Sequence, residues 1–450
     1  MFKIIYEIGL NICARFTFPP FFSFLRTFVV VNGTAYSFSG NLLILLGMIS
    51  LLTTAQDPHV SVDSSNPDPI LFVTRGLKKF ALDLLSETSI QGGPNLNLVV
   101  SPYSVWALLV LIMEGAGGET ANQIRAAINI KQNTKMQRQG YLMLEDKLQT
   151  NTSSIELHSV NALFTDLNRP IDPNYRNIAM NNYHCNVIPV NFGKPVASAE
   201  SVNKWVSRAT HQHILELVLP DDLKNPDLLL ANAIFFRGQW KIPFNKNVTF
   251  LDKFYDEEGV ELGKVQMMFH NGPFLHGFLN DIDAHFLELP YEGDKFCMLL
   301  VLPREKAPLL PVLKKLKSTP LDEVYMKLKK EYEEFMEDGV NVFLPRLSVT
   351  SDFVLNEVLQ QLGIVDVFEE EHANLSGISS RRLYLSKLIH KAQIQITEEG
   401  TIASAATAAS FGERTFPAQF IANRPFAYFI IQKELKIVLF AGKVAFPTSA

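Results

Sequence analysis

Cysteine is nearly absent. Cys13, Cys185 and Cys297 are the only three in 450 residues, which excludes a disulfide framework and leaves stability to a hydrophobic core. Cys185 and Cys297 lie in apolar segments and are expected to be buried, unpaired thiols. Also missing are a G-x-S-x-G elbow, an H-E-x-x-H pair, a C-x-x-C pair and a phosphate-binding loop, so no enzyme activity is expected. His211 and His213 have no third ligand close by in the sequence, so no metal and no cofactor are expected. Positive charge is not in excess. Lys and Arg number 41 against 46 Asp and Glu, a net charge of −5, which gives no reason to expect nucleic acid. No internal repeat is evident.

What is present is ample core material, with 47% hydrophobic and 19% charged residues, and one unusual stretch near the C-terminus. Gln393 to Thr397 alternates polar and apolar side chains, the pattern of a half-buried strand, and runs without a turn signal into Glu398 and Glu399. Gly400 follows, a residue free to act as a pivot. From Thr401 to Ser410 the chain is almost entirely Ala, Ser and Thr, with Ile402 the one larger side chain. Were this segment to become a strand, Thr401, Ala403, Ala405, Thr407 and Ala409 would share one face, small enough to enter a sheet over a packed interior, where overpacking costs roughly 1–3 kcal/mol per site. Phe411 continues that face. Arg414 is the only basic residue between Lys391 and Arg424, so a protease selecting Lys or Arg has a single target, the Arg414–Thr415 bond.

A flexible linker or an Ala-rich helix has the same composition. Position decides against a linker, because too few residues follow Thr415 to make an independent core. Those residues include two apolar runs, Arg424 to Ile431 and Ile437 to Pro447, separated by the polar QKELK, which read as two buried strands joined by a turn.

Motifs spread along the chain resemble the serpin family of serine protease inhibitors, from about Ile70 to the C-terminus. They are SPYSVWALLVL at Ser101, EGAGGETANQI at Glu114, VNKWVSRATHQHI at Val202, LANAIFFRGQW at Leu230, LPRLSV at Leu344, LSKLIHKAQIQITEEGT at Leu385 and NRPFAYFI at Asn423. The resemblance implies an α+β fold in a single domain, residues 70–450. It has a large central, mostly antiparallel sheet A, two further sheets, about nine helices and an exposed reactive-centre loop over residues 398–418. Counting the loop as the family does, from Glu398, also places the scissile bond after Arg414.

The implied activity is one-use inhibition. A trypsin-like serine protease attacks the Arg414 carbonyl with its own serine, and the cut loop inserts into sheet A before water can release the acyl-enzyme. Gly412 and Glu413 would neighbour the specificity residue. Glu399, Gly400, Thr401, Ala403 and Ala405 fall on the family's hinge. Glu398, Arg346 and Trp240 fall on its breach, where an Arg–Glu pair is expected. Ser101, Ser104, Asn232 and His390 fall on its shutter. Ser101 and Pro102 also read locally as a helix N-cap and first turn. A carrier, chaperone or storage role without inhibition is the alternative, supported by Ile402 at a hinge position where inhibitory members usually carry a polar side chain. Gln212 stands where the family's T-x-G-x-I motif has Gly. A monomer is expected.

Residues 1–55 read as an atypical leader. The apolar run 42–52 has the length of a signal-peptide core, followed by a small residue, Ala55, yet it lies far from the N-terminus. Either it is cleaved near Ala55 and the protein is secreted, or Thr27 to Ala55, which carries no charge, is a membrane signal-anchor. Residues 56–69 read as a polar, disordered mature N-terminus. Sequons at Asn151, Asn247 and Asn374 fit a glycosylated extracellular surface. Lys131, Lys135 and Arg138 could share a helix face, as in serpins that bind glycosaminoglycans. The run Lys327 to Gly339 reads as a solvated charged segment.

Overall fold

A computed structural model describes residues 26–31, 34–39, 68–149, 154–224, 226–334, 339–399 and 418–447. Residues 1–67 and 68–450 form two separate units. In the first, β1 (Arg26–Val31) and β2 (Thr34–Ser39) pair as an antiparallel hairpin. The rest of the stretch read as a leader, including residues 42–52, lies outside the described residues. Among the described residues no helix is long and apolar enough to cross a membrane.

The second unit opens with α1 (Pro69–Gly92), β3 (Leu98–Val100), α2 (Pro102–Gly115), α3 (Gly118–Ala127) and α4 (Thr134–Leu148). It continues through β4 (Ile155–Asp166), α5 (Pro173–Tyr183), β5 (Asn186–Val190), α6 (Pro195–Ala209) and β6 (Leu228–Gly238). Then come β7 (Phe250–Tyr255), β8 (Glu261–Gly272), β9 (His276–Leu279), β10 (Ala284–Pro290) and β11 (Phe296–Pro303). Helices α7 (Leu309–Lys317) and α8 (Leu321–Glu334) precede β12 (Val340–Pro345), β13 (Leu347–Val354) and α9 (Asn356–Gln361). The last strands are β14 (Leu385–Ile396), β15 (Ala418–Ile421), β16 (Phe426–Gln432) and β17 (Ile437–Val444).

The architecture is α+β, as expected. Among the described residues of the second unit three sheets form, of six strands (β3-β17-β16-β11-β10-β9), four strands (β15-β12-β8-β7) and five strands (β13-β14-β6-β4-β5). The two apolar C-terminal runs are the buried antiparallel pair β16 and β17. Helix α2 is apolar nearly all round and correspondingly buried, as a helix enclosed on every side should be. The five-stranded sheet has apolar layers on both faces. Leu228, Leu230, Ile234 and Phe236 of β6 enter the main core, while Leu229, Ala231 and Ala233 pack in a second cluster with Val202 and Val206 of α6. Alternation with period two produces this division.

Several expectations need correction. Pro69, assigned to the disordered N-terminus, begins α1, with Asp68 accepting a hydrogen bond from Ile70 as N-cap. Most of the charged run from Lys327 lies on helix α8, where Leu328 is buried while the charged side chains around it stay at least partly solvated. Lys131 precedes α4, and Arg138 is paired with Glu114 (Nη2 to Oε2, 2.7 Å), so no three-charge helix face forms. Cys185 and Cys297 are buried and unpaired, as expected. Burial pushes both thiols well above their ordinary value, which leaves them inert.

Candidate functional site

Strands β6 and β14 are neighbours and parallel, in register from Leu229 beside Lys387 to Phe236 beside Ile394, with a bulge between Leu385 and Lys387. Each is antiparallel to its other neighbour, β4 and β13 respectively. A strand entering between them would run antiparallel to both if it doubled back from the end of β14. Parallel pairing is slightly less stable per residue than antiparallel pairing.

At the top of the β6/β14 seam, β14 runs out into Thr397, Glu398 and Glu399, which are tightly held. Trp240 donates its indole N–H to the Thr397 carbonyl (2.9 Å). The Trp240 and Phe244 amides donate to the Glu399 and Glu398 carbonyls at 3.3 and 2.8 Å. Trp240 is itself stacked on Tyr291, with centroids 4.6 Å apart. The Glu398 carboxylate is 1% exposed and accepts Arg346 Nε at 2.7 Å on both oxygens, Nη2 at 2.5 Å and Thr249 Oγ1 at 2.5 Å. Burial opposes its ionisation, but the hydrogen bonds from Arg346 and Thr249 outweigh it and hold its pKa below the usual carboxylate range. Lys246 pairs with Glu399. The expected Arg346–Glu398–Trp240 cluster exists. Thr249 and Phe244 complete it and were not foreseen.

Lower on the seam the Ser101, Ser104, Asn232 and His390 side chains also meet. His390 and Asn232 face each other across β14 and β6, and Asn232 faces Asn161 across β6 and β4. His390 Nε2 accepts the Ser101 amide at 2.9 Å, so its other nitrogen carries the proton and Nδ1 donates to Asn232 Oδ1 at 2.9 Å. Asn232 Nδ2 donates to Asn161 Oδ1 (2.9 Å) and the Val160 carbonyl (3.2 Å). Ser101 caps α2, accepting the Ser104 amide (3.2 Å) while its hydroxyl donates to Ser104 Oγ (3.0 Å). Ser159 lies within 3.5 Å of Ser104 Oγ. Burial lowers the His390 pKa to about 3. Ser159 and Asn161 are members that the sequence motifs did not reveal.

The sequence of the chain matches the family model Serpin (serine protease inhibitor) over residues 75–447. The chain belongs to the serpin family. It is 32% identical over 388 residues to serine protease inhibitor 2 of Anopheles gambiae, covering 83% of this chain and 92% of that one. It is 30% identical over 375 residues to the human leukocyte elastase inhibitor, covering 82% and 98%. Among solved structures, serpin-12 of Manduca sexta superposes with a TM-score of 0.71 at 25% identity, over 83% of this chain and 98% of the other. Serpin48 of Tenebrio molitor gives 0.69 at 27% identity, over 84% and 99%. Members of the family are generally protease inhibitors rather than catalysts, and this serpin carries their fold.

Of the remaining candidates, Gly400, Thr401, Ala403, Ala405, Gly412, Glu413, Arg414, Thr415 and Asn151 lie outside the described residues. Asn247 and Asn374 are exposed. Thr249 of the Asn247 sequon is the threonine bonded to Glu398. Gln212, at the position where serpins have Gly, has φ 67°, a left-handed conformation that favours Gly. Sequence distance did not reveal that β4 brings Glu156 and His158 beside His213, a group to which His211 supplies no atom.

Proposed function

We propose that this serpin is a one-use covalent trap for trypsin-like serine proteases, cleaved between Arg414 and Thr415. The carrying observation is the parallel β6/β14 seam, from whose upper end the chain emerges at Glu399 into Gly400 and a stretch of small, uncharged residues. The protease serine attacks the Arg414 carbonyl. The Thr415 amine leaves with a proton, and an ester joins Arg414 to the enzyme. Residues from Thr401 then turn back at Gly400 and form a strand antiparallel to β14 and β6. One parallel ladder is replaced by two antiparallel ones. The enzyme is dragged with the ester, and displacement of its catalytic groups by about 1 Å slows deacylation on the order of a hundredfold.

Arg414 suits a specificity pocket floored by a carboxylate. Glu413 beside it narrows the range of enzymes that accept the loop. The sequons and the apolar run 42–52 support action outside the cell after removal of the leader near Ala55. Ile402 favours the second reading, a serpin that is cut without trapping.

Incubating the protein from Gln56 onward with trypsin, alongside the Arg414→Ala variant, separates the two on a denaturing gel. A band at the summed mass that needs Arg414 supports trapping. Cleavage after Arg414 without that band assigns the protein to the non-inhibitory class.

A further inference from the structure

The connection from α6 to β6 brings three metal-ligating side chains together on the outer face of the five-stranded sheet. Glu156 and His158, two residues apart on β4, share that face by strand periodicity, opposite Arg237 and Phe235 of β6. His213 descends onto them from the connection, its ring stacked on Phe235 with centroids 3.7 Å apart and planes within 6°. One ligand atom from each of Glu156, His158 and His213 lies within 4.8 Å of the other two. His213 Nε2 is 3.7 Å from Glu156 Oε2, too far for a hydrogen bond. Bonds of about 2.0–2.1 Å in a tetrahedral zinc site put the ligand atoms roughly 3.3 Å apart. Rotations that move each atom by less than about 1 Å would close the set around an ion.

We infer that Glu156, His158 and His213 bind a divalent transition cation of the zinc type, with water in the fourth position. Glu156 Oε2 is shielded from solvent and has no hydrogen-bond partner, an acceptor left over for a ligand. Two imidazoles and a carboxylate suit zinc better than calcium or magnesium, which prefer all-oxygen sites. The charge of Arg237, opposite Glu156 on β6, opposes a cation and limits the affinity. His211 packs its ring against His158, centroids 4.4 Å apart, but supplies no atom to the set.

The position of His213 is fixed before any ion arrives. Thr210 Oγ1 accepts the Ile214 amide at 3.1 Å. Asn203 of α6 accepts the Leu217 and Val218 amides at 2.8 and 3.0 Å. A bound cation would fasten this connection to β4. Phe235, which carries the His213 ring, lies opposite Gln393 of β14, so the fastening would sit beside the seam and hold the five-stranded sheet. Only that last consequence rests on the insertion reading.

Titration of chelator-treated protein with zinc chloride by isothermal calorimetry tests the site, with cobalt(II) absorption as a second probe. The expected result is one equivalent bound at about micromolar affinity, and cobalt bands of a four-coordinate nitrogen–oxygen site. His213→Ala and His158→Ala should each weaken binding by about tenfold or more, with His211→Ala within about threefold of wild type. Unfolding midpoints in chelator establish that the variants are folded. Absence of saturable heat and of cobalt bands, or affinity undiminished in both His213→Ala and His158→Ala, would overturn the site. Failure of the protein to trap trypsin leaves these outcomes unaffected, so the two proposals fail separately.

Discussion

Glu398 presents a fully buried carboxylate to Arg346, which reaches both of its oxygens through Nε at 2.7 Å. The pair sits where β14 gives way to the loop, so it clamps the segment that has to turn if a new strand forms. Removing one partner of a buried pair leaves the other uncompensated, at a cost of up to about 3–5 kcal/mol. Arg346 is one-third exposed, which discounts the figure.

Arg346→Ala should therefore lower unfolding stability by about 1–2 kcal/mol, read as a lower urea midpoint. Because the Glu398 pKa is held down in the folded protein, its contribution is present above the ordinary carboxylate range and is lost as pH falls through the depressed value. Glu398→Gln should remove that part of the acid sensitivity.

His390 supplies a separate pH dependence at higher pH. Its folded pKa of about 3 lies below the unfolded value near 6.5, so the neutral ring favours the native state. Stability is complete above about pH 6.5 and falls by about 1.4 kcal/mol per unit between pH 6.5 and 3. Urea midpoints at pH 7.5 and 5.5 should differ accordingly, and in His390→Gln that difference should shrink.

Gln212 holds φ at 67°, a conformation costing a side chain roughly 1 kcal/mol. Gln212→Gly should stabilise the protein by up to about 0.5 kcal/mol, the relief of strain exceeding the added freedom of the unfolded chain. A lower melting temperature for this variant would count against strain at the turn.

Gly140 of α4 faces the backbone of α1 so closely that a Cβ would collide with the Pro69 carbonyl. The obstacle is backbone rather than a side-chain tip, so Gly140→Ala should destabilise by about 2–3 kcal/mol as the helices are forced apart. Thermal melts of the variant give the comparison.

Local pattern carried much of the fold. Ser101 before Pro102 marks the start of α2, and the period-two run at Gln393 marks the end of β14. The two apolar runs after Arg424 are legible as strands because a full core surrounds them. Helix α8 was also legible, since Leu321, Val324, Tyr325 and Leu328 follow helical spacing; the density of charge on its other face obscured it. The functional residues divide differently. Arg346, Glu398 and His390 could be placed through family motifs, whereas Thr249, Ser159 and Asn161 join their clusters only through cross-strand pairing and chain reversals, which no local signal encodes. The same holds for Glu156 and His158, which meet His213 across 57 and 55 positions of sequence.

Insertion between β6 and β14 is best tested by melting the protein before and after the Arg414–Thr415 bond is cut. A strand gained between two existing ones adds up to about ten hydrogen bonds, each worth on the order of 1 kcal/mol, less the cost of ordering the loop. Cleaved protein should therefore melt at a clearly higher temperature by circular dichroism. An unchanged or lower melting temperature after complete cleavage would contradict insertion.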